Sequence, residues 1–138
     1  MTMLDVAALE AIREEVFPPW VQDLGWSVTA SAPEGRLTIA LPPEPRAARM
    51  DGALSGQAMA AVADSAGVLA LASALGGFRP VATIQMDVKY LKPARAEPLT
   101  VTTEILRLGR TTAFVEVRLL NASGAAVAVA TLAYAVPQ

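Results

Sequence analysis

From Ala58 to Leu75 the chain runs for eighteen residues with one charge, Asp64. Ala and Leu dominate this run, no Pro interrupts it, and Gly76-Gly77 follows it, so it reads as one long helix over about 55–75, with Ser55 as N-cap. A helix apolar on every side must be enclosed. A bilayer would accept this length, but an Asp near the centre costs about 2.5–3.5 kcal/mol on insertion scales. The alternative is a sheet of the same protein, against which small Ala side chains allow close approach.

The rest of the chain supplies that sheet. Residues of about 4–17 place Leu4, Ala7, Ala8, Ala11 and Ile12 at helical spacing, and Pro18-Pro19 ends them. Trp26 to Ser31 and Arg36 to Leu41 read as two strands joined by the turn "APEG", before a Pro-rich connection leads into the long helix. After the helix, "VATIQMDVKYL" alternates Ile84, Met86, Val88 and Tyr90 with Thr83, Gln85, Asp87 and Lys89, the period of a strand with one covered face. "PLTVTTEILRL", "TTAFVEVRLL" and "AAVAVATLAYAV" follow, joined by "GR" and "NASG" as antiparallel hairpins. The order of elements predicts an α+β domain in which an antiparallel sheet wraps one long helix. With 138 residues the chain makes a single domain, 1–138.

Composition removes most chemistries. The chain has no His and no Cys, which excludes disulfides, thiol nucleophiles, Cys/His zinc sites, Ser-His-Asp triads and His-dependent dehydratases. A metal or redox cofactor finds no ligand set, and none is expected. A net charge of -2 offers no field for nucleic acid. Hydrophobic residues make up 54% of the chain, more than one small domain needs to bury, so part of that surface is expected between subunits. The amino terminus is acidic and amphipathic, without a secretory pattern, which points to the cytoplasm. Asn121-Ala122-Ser123 fits a glycosylation sequon and reads more simply as a hairpin turn.

Carboxylate, hydroxyl, amide and backbone groups remain, and Asp64 stands out among them. Its plain readings are a cap, an ion pair at a subunit contact, or a small polar opening; its functional reading is a nucleophile or general base in an apolar setting. Gln57, seven residues earlier, projects from nearly the same helix face, with Ala60, Ala61, Gly67, Val68 and Leu71. At the helix start, Gly56 and Gln57 carry backbone N–H groups without intrahelical partners, a setting that binds a developing oxyanion. Eight residues separate Gly56 from Asp64, about 12 Å along the axis. One helix cannot bring both groups to one carbonyl, so a shared site requires the helix start of a second subunit.

The segment "GALSGQAMAAVADSAG" and the strands that follow it, ending the first with "YLKPA", resemble the hotdog-fold acyl-CoA thioesterases of the phenylacetate-degradation and 4-hydroxybenzoyl-CoA branch, over about Arg49 to Val136. The resemblance implies a six-stranded antiparallel sheet around a central helix, assembled as a homodimer or homotetramer with sites between subunits. It gives Asp64 the role of acidic nucleophile or base. It also gives Gly56 that of the N–H donor to the thioester carbonyl, and Ser65 that of a hydroxyl partner of the acid or its water. Two departures accompany it: Ser55-Gly56-Gln57 stands where the best-known branch has His-Gly-Gly, and Arg49 stands seven residues before the glycine in place of Asn or Gln. A sub-branch with Ser-Gly-Pro shares the Ser-Gly turn, and the Gln57 side-chain amide is available as a donor.

Hydrolysis of an acyl-CoA or related thioester is the first functional expectation, with coenzyme A present only as part of the substrate. Arg49, Ser55, Gln57, Thr83, Lys92 and Arg95 are the expected substrate-binding residues; Arg79 and Arg110 are further cations at strand ends or turns. Met59, Met86, Leu71, Phe78, Tyr90 and Trp26 read as acyl-pocket wall or as core. The alternative is a hotdog protein that binds acyl-CoA or another ligand without turnover. Neither reading involves nucleic acid or a membrane.

Overall fold

The structure, a computed structural model, describes residues 3–138. Helix α1 (Val6–Val16) starts where the Asp5 carboxylate accepts the Ala8 N–H at 2.8 Å, and it stops before Pro18. Pro19 does more than end a helix: its fixed φ suits the first helical position, and it opens the one-turn helix α2 (Pro19–Gln22), absent from the sequence reading. Strands β1 (Ser27–Ala32) and β2 (Arg36–Leu41) form the expected hairpin through a 3-10 turn at Pro33–Gly35. Trp26 precedes β1 as core, its indole N–H on the Val21 carbonyl at 3.0 Å and its ring edge-on to Phe17.

The long helix α3 (Gly56–Leu75) begins with the Ser55 hydroxyl accepting the Ala58 N–H and ends at Gly76, whose φ of 78° forms a left-handed cap. Four strands follow: β3 (Ala82–Tyr90), β4 (Leu99–Leu108), β5 (Thr112–Leu120) and β6 (Ala126–Ala135). Asn121 Oδ1 accepts N–H bonds from Ser123 and Ala125, so the sequon is the β5–β6 turn.

All six strands form one antiparallel sheet in the order β1-β2-β4-β5-β6-β3. It curls around α3 in the manner of the hotdog fold. Val62, Ala63, Ala66, Leu69, Ala70 and Leu71 of α3 are fully buried against Ile39, Val101, Val115, Val117 and Ala130 of the sheet. The helix is long and apolar enough to cross a membrane, yet 72% of its most hydrophobic window lies inside the fold. Close approach is visible at Gly35, where a Cβ would lie 2.7 Å from the Ala70 carbonyl oxygen.

Strand β3 differs from the other five. It leaves α3 and runs to the far edge, pairing with β6 from Ala82↔Ala135 to Tyr90↔Ala128, with no strand on its other side among the described residues. Met86 and Tyr90 lie opposite the buried Leu132 and Ala128 and so point to the helix side, yet they are 39% and 50% exposed. Ile84, at a slip in the register, is 60% exposed.

Candidate active site

Asp64 is half-buried in the wall of α3 that faces β6 and β3. The Thr83 hydroxyl, from β3, donates to Asp64 Oδ1 at 2.8 Å. The Tyr134 phenol, from β6, lies 3.1 Å from the same oxygen and 2.9 Å from the Asp64 backbone carbonyl. Tyr134 is fully buried, and burial, reinforced by the neighbouring carboxylate charge, raises its pKa well above the ordinary phenol value. Its proton is therefore retained, and the phenol acts as a donor.

Ser65 makes no hydrogen bond to Asp64 among the described residues. Its hydroxyl donates to the Ala61 carbonyl at 2.8 Å, on the buried side of the helix. Thr83, expected among substrate-binding groups, donates to the carboxylate.

Gly56 is the first residue of α3, and among the described residues its N–H and that of Gln57 have no acceptor. The Tyr90 hydroxyl donates to the Gly56 carbonyl at 2.8 Å, and a Cβ on Gly56 would touch the Tyr90 ring at 3.2 Å. The loop before the helix is braced from both sides: Ser55 N–H donates to the Ala47 carbonyl and Leu54 N–H to that of Ala94. A cavity of about 360 Å³ opens here, lined by Arg49, Gly56, Met59, Tyr90 and Lys92 among others. Arg49 pairs with Asp51, which holds the Asp51 carboxyl below the usual range. Arg95 donates to the Asp51 carbonyl at 3.1 Å, and Lys92 forms no ion pair among the described residues.

Ser55 and Gln57 line a different cavity, with Trp20 and Arg46, so they open away from Tyr90 and Lys92. Arg79 follows the far end of α3, about 30 Å from Gly56 by helix length. Arg110, in the β4–β5 turn, lies at that far end as well. Met59, Leu71 and Trp26 are core, whereas Met86, Phe78 and Tyr90 are exposed. A larger cavity, about 660 Å³, is also away from Asp64, lined by Ser73, Ile105 and Leu108 among others. Ser73 lies nine residues beyond Asp64, on the opposite helix face.

The chain therefore presents two features on one helix, a hydroxyl-held carboxylate and a cation-flanked helix start. Comparison with known proteins gives the family. A family model described as "Thioesterase superfamily" matches residues 51–128, and the chain belongs to that superfamily. No curated protein matches it. Among solved structures it is similar to zebra fish thioesterase superfamily member 2, at 24% identity and a TM-score of 0.86, covering 97% of this chain and 99% of that one. It is also similar to a mutant phenylacetic acid degradation protein from Thermus thermophilus, at 25% identity and a TM-score of 0.75, covering 86% and 98%. A Streptococcus mutans protein bound to acetyl-CoA matches at 24% identity and a TM-score of 0.75, over 82% and 89%.

Proposed function

We propose that the protein hydrolyses an acyl-CoA or related acyl thioester, with Asp64 as the acting carboxylate at an interface between two copies. The observation that carries this reading is Asp64 itself: the only charge in α3, half-buried, and held by two hydroxyl groups rather than by a cation. A cap or ion pair would show a different partner. The unpaired edge of β3, with apolar Met86 and Ile84 exposed on it, supports an antiparallel pairing of β3 with its counterpart, as a dimer or a tetramer built from such dimers. That pairing extends the sheet and sets the two α3 helices side by side. Asp64 of one copy then acts on a carbonyl held by the partner subunit's Gly56.

In that site the carboxylate either attacks the acyl carbon or takes a proton from water. In the first route the C–S bond breaks as the acyl–Asp64 bond forms, the thiolate leaves and is protonated, and water then cleaves the anhydride to restore the carboxylate. In the second, the hydroxide formed attacks directly, the C–S bond breaks, and the protonated carboxyl passes its proton to the leaving thiolate, which restores the carboxylate. Both routes place negative charge on the carbonyl oxygen, where the free N–H groups at the helix start are suited to meet it. Lys92 and Arg49 flank the helix start and suit the phosphates of coenzyme A. Water is the only co-reactant, and no cofactor takes part.

The test is free-thiol release from short, long and aromatic acyl-CoA esters by wild type and Asp64→Asn at matched folding. Turnover that falls at least about a hundredfold in the variant is expected. Binding of acyl-CoA without turnover of any ester would leave a ligand-binding protein instead.

A further inference from the structure

Helix α3 is built largely of Ala, yet Gly67, a poor helix former, sits at its middle, three residues after Asp64 and on the same side. Its backbone is helical and it is buried, so neither a turn nor exposure explains it. Space does. A Cβ at residue 67 would collide with the Tyr134 hydroxyl oxygen and approach Cζ to 2.9 Å and Cε2 to 3.1 Å. The missing side chain is a notch, and the tip of the phenol fills it.

Through that notch Tyr134 reaches Asp64. Its one proton is shared between the backbone carbonyl and Oδ1, and Thr83, its cross-strand partner on β3, gives a second hydroxyl to Oδ1 from the same face of the sheet. Oδ2 accepts no hydrogen bond among the described residues. Two donors on one oxygen fix the plane of the carboxylate and make its oxygens unlike. A Phe at 134 would fill nearly the same core volume and hold nothing.

We propose that Tyr134, admitted by Gly67 and assisted by Thr83, is the positioning residue of Asp64: it anchors Oδ1 and leaves Oδ2 as the oxygen that attacks the acyl carbon or takes the proton from water. This rests on the reading of Asp64 as the acting carboxylate.

The experiment compares Tyr134→Phe with wild type and Asp64→Asn on the best acyl-CoA ester of the panel, with circular dichroism and thermal melting to match folding. Expected for Tyr134→Phe is a fall in kcat of at least about tenfold, the scale of one hydrogen bond to a charged group, with KM held within about twofold. The acid limb of kcat moves to higher pH, because a lost donor to the carboxylate disfavours its ionised form. A side chain that only packs would move neither the limb nor the kcat-to-KM split. Wild-type kcat and pH profile in Tyr134→Phe, beside an inactive Asp64→Asn, overturns the positioning role and leaves the carboxylate reading intact. Full turnover by Asp64→Asn overturns both. If Tyr134→Phe does not fold, Gly67→Ala and Thr83→Val carry the same test. The first pushes the phenol off Asp64 and the second removes the other donor, and each is expected to lower kcat and shift the same limb. A folded Gly67→Ala with wild-type kcat and profile overturns the proposal.

Discussion

Tyr134 shows how one buried hydroxyl ties core and site together. Its pKa is raised in the folded protein, so the phenol that ionises near pH 10 in an unfolded chain stays neutral in the fold. The sign follows: the stability it contributes is intact below about pH 10 and is lost as pH rises above it, because unfolding then releases a proton the fold retains. Urea unfolding across that range is expected to show a steeper alkaline loss for wild type than for Tyr134→Phe; equal slopes would contradict it. Residue-scale legibility was uneven. Asp64 and Gly56 stand out in the sequence because a charge in an apolar run and an unpaired helix start are local signals. The bond from Tyr134 depends on which strand lies beside the helix, which no local pattern carries. Ser65 is legible beside the acid, but a helical Ser has its own i−4 carbonyl within reach, and that is the partner it takes here.

At the scale of elements, periodicity and punctuation located α3 and all six strands, with boundaries shifted by a residue or so. Helix α2 escaped because two prolines read as a stop, although the second is also a good first residue. Strand order escaped too: β3 follows α3 in sequence yet lies beside β6, because the sheet must close around the helix, and that demand is global. The start of α3 permits a clean test of its proposed role. Gly56→Pro deletes the N–H while leaving a residue that suits the first helical position, and Ser55 before it is already extended at φ -67°, ψ 151°. The exposed Tyr90 ring has room to yield. The variant is expected to keep its helix content and lose about a hundredfold or more in kcat, the scale of one oxyanion donor. Unchanged turnover would remove Gly56 from the site.

At the scale of the molecule, the proposed pairing makes the surplus of apolar residues and the bare edge of β3 one surface. Light scattering is expected to give at least twice the 14.4 kDa of one chain. Met86→Lys, which sets like charges near one another across a β3 pair, is expected to return the mass toward one chain while circular dichroism stays unchanged. A stable monomer in wild type would defeat the shared site. The sequence carried this surface as an excess in composition and the geometric need for a second helix start; it did not say which strand would be left open.

The open edge of β3 has a consequence for regulation. On the proposed reading, a chain with the acid at mid-helix and the oxyanion donors at its tip carries both halves of a reaction it cannot complete alone. Below the dissociation constant of the pair, turnover per litre would grow with the square of the amount of protein, so dilution would act as an off switch. Two inactive chains, Asp64→Asn and Gly56→Pro, would recover activity on mixing, since half of the sites in a mixed pair carry neither defect.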